Sequence, residues 1–562
     1  MRRVSGWSRE LLALAGVCLV VVLSGAPAPI VAAAPDDDSD GILQEIRAEA
    51  IRADMRFLSQ DLLEGRGTGT RGHLLAAHFM AAQFESLGLS GAGDPGTYFQ
   101  DVPLQSVQVD EPDSSLTWQG PGKNESFKFR EDYILYGDPG RDDSMVEAPV
   151  VFVGYGITAP DQRYDDYGKV DVKGKIVAVV FGAPGFQSAV KAHYSASWLK
   201  RKNAAAHGAV GMLVLYDPRL QSLYPFEKQV RDLAIPRFNW LDGAGTPDHY
   251  YPALRAYGAV SLAGVKRLLS GSPYTPEQIY AGAKRGKLPS FQLPGTAQIH
   301  TKARRNLAHS PNVIAKLEGS DPALKSEHVV YTAHLDHLGI STPVNGVSIY
   351  HGALDNASGS AEILEIARAF SRMPVKPRRS ILFIAVTAEE AGLLGSDYFA
   401  TNPTVPRASI VADINIDEDL MLWPLRDIVA FGAEHSTLER VVERAARRLH
   451  LDASPDPLPE QVVFIRSDQY SFVRQGIPSL FLAPGFKSDD PKVKPAEIFD
   501  KWDEAFYHQP QDDMQQPGLD FEAAAEFARV GYLCGLYIAQ EDERPQWNPG
   551  DFFGVAFAGG AR

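Results

Sequence analysis

"RSILFIAVTAEEAGLLGS", residues Arg379–Ser396, is the stretch whose reading decides the fold. Ile381–Val386 is apolar without interruption, the pattern of a short strand covered on both faces rather than of an alternating, half-exposed one. A helix-like run follows, and at the junction Glu389 and Glu390 stand side by side. Two readings are open for that pair. Thr387 with Glu390 three residues on has the form of a capping box, in which both side chains satisfy orphan N–H groups at a helix start. Alternatively, the glutamates carry chemistry.

Working outward, the same texture recurs. "NVIAKLEG", "HVVYTAHLDHLG", a helical pattern from Ser358 to Phe370, "SIVADINID" and "IPSLFLAPG" alternate strand with helix. Continuous apolar strands between amphipathic helices predict an α/β fold with a mostly parallel central sheet covered by helices on both faces. From about Glu147 the texture differs: "APVVFVGYGI", "GKIVAVVFG" and "GMLVLYD" predict a compact β-rich module that ends near Pro289 and interrupts the main domain. The expected division is therefore a leader at 1–34, the first part of the main domain at 35–146, an insertion at 147–289, the rest of the main domain at 290–545, and a tail at 546–562 to which no role can be assigned.

The leader has a basic start (Arg2, Arg3, Arg9), an uncharged run from Leu11 to Ala34 and a small-residue end, which predicts a secretory signal peptide cut near Ala33 or Ala34. An uncleaved anchor is the alternative, and Pro27 and Pro29 argue against it. A secreted or periplasmic protein is expected, with no stable membrane association after cleavage. Cys18 and Cys534 are the only cysteines, so the mature chain has no internal disulfide. The formal net charge is -15 and its acidic residues are dispersed, which points away from nucleic acid as a partner.

Polar groups cluster at strand ends. His334 and Asp336 lie in "AHLDHLG", Asp355 in "GALDNASG", Glu389 and Glu390 in "TAEE", Asp417 in "INIDED" and His508 in "FYHQPQDD". The crevice beyond the carboxyl ends of an open α/β sheet is where ligands bind, so these groups can converge although distant in sequence. Singly, each has an ordinary structural role open to it: a core histidine, a turn aspartate, an acidic loop. Jointly they supply two imidazoles and several carboxylates, a donor set that suits two zinc ions sharing one bridging carboxylate, with a further carboxylate free to accept a proton.

With those motifs in hand, the sequence resembles the zinc-dependent exopeptidases that include secreted bacterial aminopeptidases, glutamate carboxypeptidase and the glutaminyl cyclases. "AHLDHLG", "GALDNASG", "TAEEAGLLGS", "NID", "RSDQYSF" and "YHQPQDD" occur in family order between Asn312 and Ile538. "LLEGRGTGTRG" and "VVFVGYGITAPDQRYDDYGKVDVKGKIV" also look like this family, the second like its protease-associated domain. The resemblance implies that His334 and Asp417 bind one zinc, that Glu390 and His508 bind the other, and that Asp355 bridges them. It implies further that Glu389 is the general base, that Asp336 orients His334, and that the Asp355–Asn356 bond is cis. His337 is expected to be structural, and His351 either touches substrate or covers a loop. Peptide or protein N-termini are the implied substrate. A carboxypeptidase, for which Arg466 is the one cation near the site, and a non-catalytic binding protein on the same fold remain as alternatives.

Overall fold

A computed structural model describes residues 39–560; the expected leader at 1–34 lies outside them. The described residues from Ile42 onward form one compact unit, which holds every strand described.

At its centre, His328–His334, Ser380–Val386, Ile410–Ile416 and Ser479–Pro484 pair in parallel, in the order 380s, 328s, 410s, 479s. The apolar runs sort by parity. Val329, Tyr331 and Ala333 face one core with Ile381, Phe383 and Ala385, whereas Val330, Leu382, Ile384 and Val386 face the other. Successive side chains of a strand point to opposite faces, so only an unbroken apolar run can bury both, at roughly 1.5–3 kcal/mol for each large side chain removed from water. Helices Ser358–Arg372 and Phe521–Gln540 pack on the first face, and Leu394–Thr401 with Gln469–Val473 on the second. The mostly parallel sheet expected from the sequence is this centre; its flanks are antiparallel, with Asp427–Phe431 against Ser479–Pro484 on one side. On the other side Ser290–Leu317 runs against Ser380–Val386, then Phe99–Val109 against Ser290–Leu317.

Ser290–Leu317 is a single strand of 28 residues that serves two sheets. Its second half belongs to the sheet just described. Its first half pairs antiparallel with Asp143–Val153 and Ser115–Gly120. Beyond Asp143–Val153 come Ile176–Val180, Gly211–Leu215 and Tyr257–Val260, all parallel, closed off by antiparallel Tyr133–Tyr136. This second sheet is mixed and carries its own helices, among them Ser197–Ala206 and Leu262–Leu268, and it draws strands from 115 to 302, on both sides of 147–289.

The C-terminal segment, which the sequence left without a role, is an integral part of the fold. Phe553 is fully buried among Ala189 and Ala192, which precede the third strand of the second sheet, and Phe464, Tyr470 and Val473 from beside the main sheet. Among the described residues no helix is long and apolar enough to cross a membrane.

Candidate metal centre

Every expected ligand sits at, or just beyond, the carboxyl end of a parallel strand, or on a loop that reaches it. His334 is the last residue of its strand, Asp417 follows Ile416, and Glu389 and Glu390 follow the Ser380–Val386 strand within four residues. Asp355 lies in the turn before the Ser358–Arg372 helix, and the Asp355–Asn356 bond is cis, as the resemblance implied.

The geometry turns on Asp355. Its Oδ1 lies 3.2 Å from His334 Nε2, which is also 3.0 Å from Asp417 Oδ1. Its Oδ2 lies 3.2 Å from His508 Nε2, which is also 3.1 Å from Glu390 Oε2. One carboxylate therefore presents one oxygen to each of two donor groups. A third imidazole lies beside the second group: His337 Nδ1 is 2.7 Å from Glu390 Oε1 and 3.7 Å from Asp355 Oδ2. Asp355 Oδ2, Glu390 Oε1 and both ring nitrogens of His337 are buried with no hydrogen-bond partner in the protein. Buried polar atoms are almost always paired, so donors that converge unpaired are arranged for an ion rather than for one another. The donor set thus fits a metal pair.

Surrounding groups fix these donors. His334 Nδ1 faces the main-chain carbonyl of Asp336 at 3.0 Å, while the Asp336 carboxylate is 4.0 Å away. That carboxylate instead accepts from the Glu389 amide and the Thr68 hydroxyl, both at 3.0 Å, so it positions the neighbouring loop more directly than the imidazole. Ser467 donates to Asp417 Oδ2 at 2.5 Å. Asp512 accepts from the amides of Leu354 and Asp355 at 2.9 and 3.0 Å. Arg66, fully buried, donates to the carbonyls of Leu335, Leu58, His351 and Gly352, and so braces the chain beside His334 and Asp355. Sequence reading missed Arg66 and Asp512 in these roles. Both lie inside motifs already quoted, but only the fold shows which carbonyls and amides they reach.

The opening ambiguity resolves against a capping box. The helix after the glutamates begins at Leu394, with no side-chain cap, and Thr387 Oγ1 pairs with Ser310 Oγ at 2.6 Å. Glu389 and Glu390 instead occupy a turn in which the amides of Gly392 and Leu393 bond the Glu389 carbonyl, which aims both side chains at the crevice. His351 holds the Pro510 carbonyl at 2.9 Å and Asp61 at 2.8 Å, covering a loop away from the donors.

Electrostatics separate the two glutamates. Burial raises the Glu389 carboxyl well above its usual range, and Asp417, Asp468 and Glu390 add to this against the opposing His334. For Glu390, burial is outweighed by His508 and His337, which hold it down at about 2. Neighbouring carboxyls are therefore driven apart, one toward holding a proton and the other toward permanent charge.

Two cavities meet here. The larger, about 600 Å³, lies between the two sheets' segments and is lined by Thr68, Tyr224, Lys228, Glu390, Arg466 and His508. The smaller, about 110 Å³, is walled by Trp423, Val429, Phe431, Phe481 and Phe486 and opens beside His334, Asp355 and Glu389.

Residues 312–531, which carry all of these donors, match the model of peptidase family M28. That segment is thus similar to the family over its full set of donor residues. Aminopeptidase NAALADL1 of Rattus norvegicus is 25% identical over 419 residues, 64% of this chain and 51% of that protein. Leupeptin-inactivating enzyme 1 of Streptomyces exfoliatus is 34% identical over 134 residues, 24% of this chain and 27% of its own length. The chain spans about half the length of the NAALADL1 relatives it matches. An aminopeptidase from Aneurinibacillus sp. strain AM-1 shares the fold, with a TM-score of 0.53 and 21% identity over 91% of this chain and 98% of that one.

Proposed function

We propose that this protein is an exported zinc aminopeptidase that removes residues from peptide N-termini, with two ions held by His334, Asp355 and Asp417 and by Asp355, Glu390 and His508. The observation that carries the reading is Asp355, whose two oxygens face two donor groups while Glu389 stands beside them without joining either. The ions would supply polarisation of the scissile carbonyl and a water reactive at neutral pH. Glu389, held at its amide by Asp336, accepts the proton that this water loses and returns it to the leaving amine; its raised proton affinity suits the task. Arg466, hydrogen-bonded to Tyr507 at 3.1 Å, lines both cavities and is placed to stabilise the developing oxyanion.

Carboxylates outnumber cations where the cavities meet: Glu418 and Asp503 stand with the donor residues along the smaller cavity, against Arg466 alone. That balance suits a free ammonium better than a substrate carboxylate. The segment containing the second sheet, which resembles a protease-associated domain, supplies Tyr224 and Lys228 to the larger cavity and so forms one wall of the peptide cleft.

The test is one short peptide, offered with a free or an acetylated N-terminus, with and without chelation, alongside Glu389→Gln. Release of the first residue from the free peptide only, lost on chelation and in Glu389→Gln, is expected. Equal trimming of the acetylated peptide from its other end would favour a carboxypeptidase, and no cleavage by folded, loaded protein would favour a binding protein.

A further inference from the structure

His337 belongs to neither of the two donor groups just assigned, yet it is the imidazole closest to Glu390. The ring is 1% exposed, and its Nδ1 lies 2.7 Å from Glu390 Oε1. That approach is not a hydrogen bond in direction, since both atoms are without a hydrogen-bond partner. Two buried polar atoms left without a hydrogen bond each cost about 1–3 kcal/mol in desolvation unless a further group satisfies them. His508 Nε2 meets the same carboxylate from another side, at 3.1 Å from Oε2, and the two imidazole rings lie 74° apart in plane with centroids 5.9 Å apart. The rings meet edge to face, and a ligand atom of His337 lies within 4.8 Å of ligand atoms of Asp355 and Glu390, the spacing of a candidate metal group.

The ring has little freedom to do anything else. Its amide donates to the Arg66 carbonyl at 3.2 Å, which anchors the backbone. Gly352, at φ +60°, packs against both the Asp355 carbonyl and the imidazole: a Cβ there would come within 2.2 Å of the first and 2.5 Å of His337 Cγ. Burial, an anchored backbone and close packing by Gly352 hold the ring in place.

We propose that His337 is a fourth protein donor to the ion held by Asp355, Glu390 and His508. This rests on the two-ion reading above and adds an asymmetry to it. The second group becomes two imidazoles and two carboxylates, the closed four-donor set of a tightly held zinc. The first group, His334, Asp355 and Asp417, keeps three donors and therefore the open position at which a substrate group is received. One ion is then resident and structural to the site, and the other is the exchangeable partner of the peptide.

The test titrates metal-depleted full-length protein with Co²⁺ and, separately, with Zn²⁺ against a chromophoric chelator, following ion content and the visible cobalt spectrum. Wild type is expected to take up two ions in two steps, the first at least tenfold tighter. In His337→Gln the tight step weakens about 10- to 100-fold or more and its cobalt band changes, while the weak step stays as in wild type. His508→Gln should weaken the same step, and His337→Ser serves if the glutamine variant does not fold. Wild-type affinities for both steps in a folded His337 variant overturn the proposal and leave the two-ion reading intact. Uptake of fewer than two ions by wild type overturns both.

Discussion

Arg231 donates to the main-chain carbonyl oxygen of His508 at 3.1 Å, and to Gln509 Oε1 at 3.0 Å, from the helix Phe226–Asp232. That helix lies between strands of the second sheet, whereas His508 is a proposed ligand of the main one. A charged donor thus fixes the loop of this proposed ligand, which sits at φ 56°, from outside the residues that match the M28 model.

For Arg231→Ala we expect kcat/KM to fall roughly 10- to 100-fold, in keeping with the 1.5–3 kcal/mol of a charged hydrogen bond, with little change in melting temperature. Arg231→Lys should recover part of the loss. Unchanged kinetics in the alanine variant would mean that the second sheet's segment does not tune the site.

Loading the centre should release protons. Burial opposes charge on His334, but Asp417 and Asp355 outweigh it; the same holds for His508 against Glu390 and Asp355, so both imidazoles stay protonated well above their ordinary range. A ligating imidazole must be neutral, so ion uptake at pH 7 displaces about two protons and affinity rises with pH. Calorimetry in two buffers of different ionisation enthalpy measures this, and identical heats in both would contradict it.

Much of this was legible beforehand. Ile381–Val386 and its counterparts announced buried parallel strands because both faces demand apolar residues, and ligands at strand ends follow from where such sheets bind. The long strand was not legible as one element. Its middle, Lys302–Asn312, is rich in polar residues because several of its side chains remain partly exposed, so only its "NVIAKLEG" end carried a strand signal. His337 is expected to be structural because ligands beyond the usual set are rare, and only the fold sets Glu390 and Asp355, 53 and 18 positions away, beside it. The capping box was lost to a contact of the same kind, Ser310 taking the Thr387 hydroxyl.

Stability has its own test at Asp54. Burial, helped by Glu365 and opposed by Arg368, raises this carboxyl to about 6. A raised folded-state value means a contribution that is whole below the ordinary aspartate value of 3.8 and is lost as pH climbs through about 6. At pH 7.5, Asp54→Asn should therefore stabilise the protein, by about 1–2 kcal/mol once partial exposure is allowed for. The gain should fade toward pH 4 in urea unfolding; a gain that is equal at both pH values would refute the assignment.

Phe553→Ala should show that the C-terminal segment supports the site. Removing a fully buried phenylalanine costs about 3–5 kcal/mol. Because Phe464 and Tyr470 pack in the same cluster, the intervening Ser467, which holds Asp417, should loosen as well. A lower melting temperature together with weaker ion retention is expected; a stability loss with ion retention unchanged would confine Phe553 to packing.

Ser290–Leu317 gives the molecule no seam along which to come apart. Melting either sheet strips a neighbour from the other, because the same backbone closes both ladders. In a scanning calorimeter two lobes joined by a flexible linker would give two endotherms, each with its own midpoint. This chain should give one, with a van't Hoff enthalpy matching the calorimetric one, and a protease should meet either the whole fold or none of it.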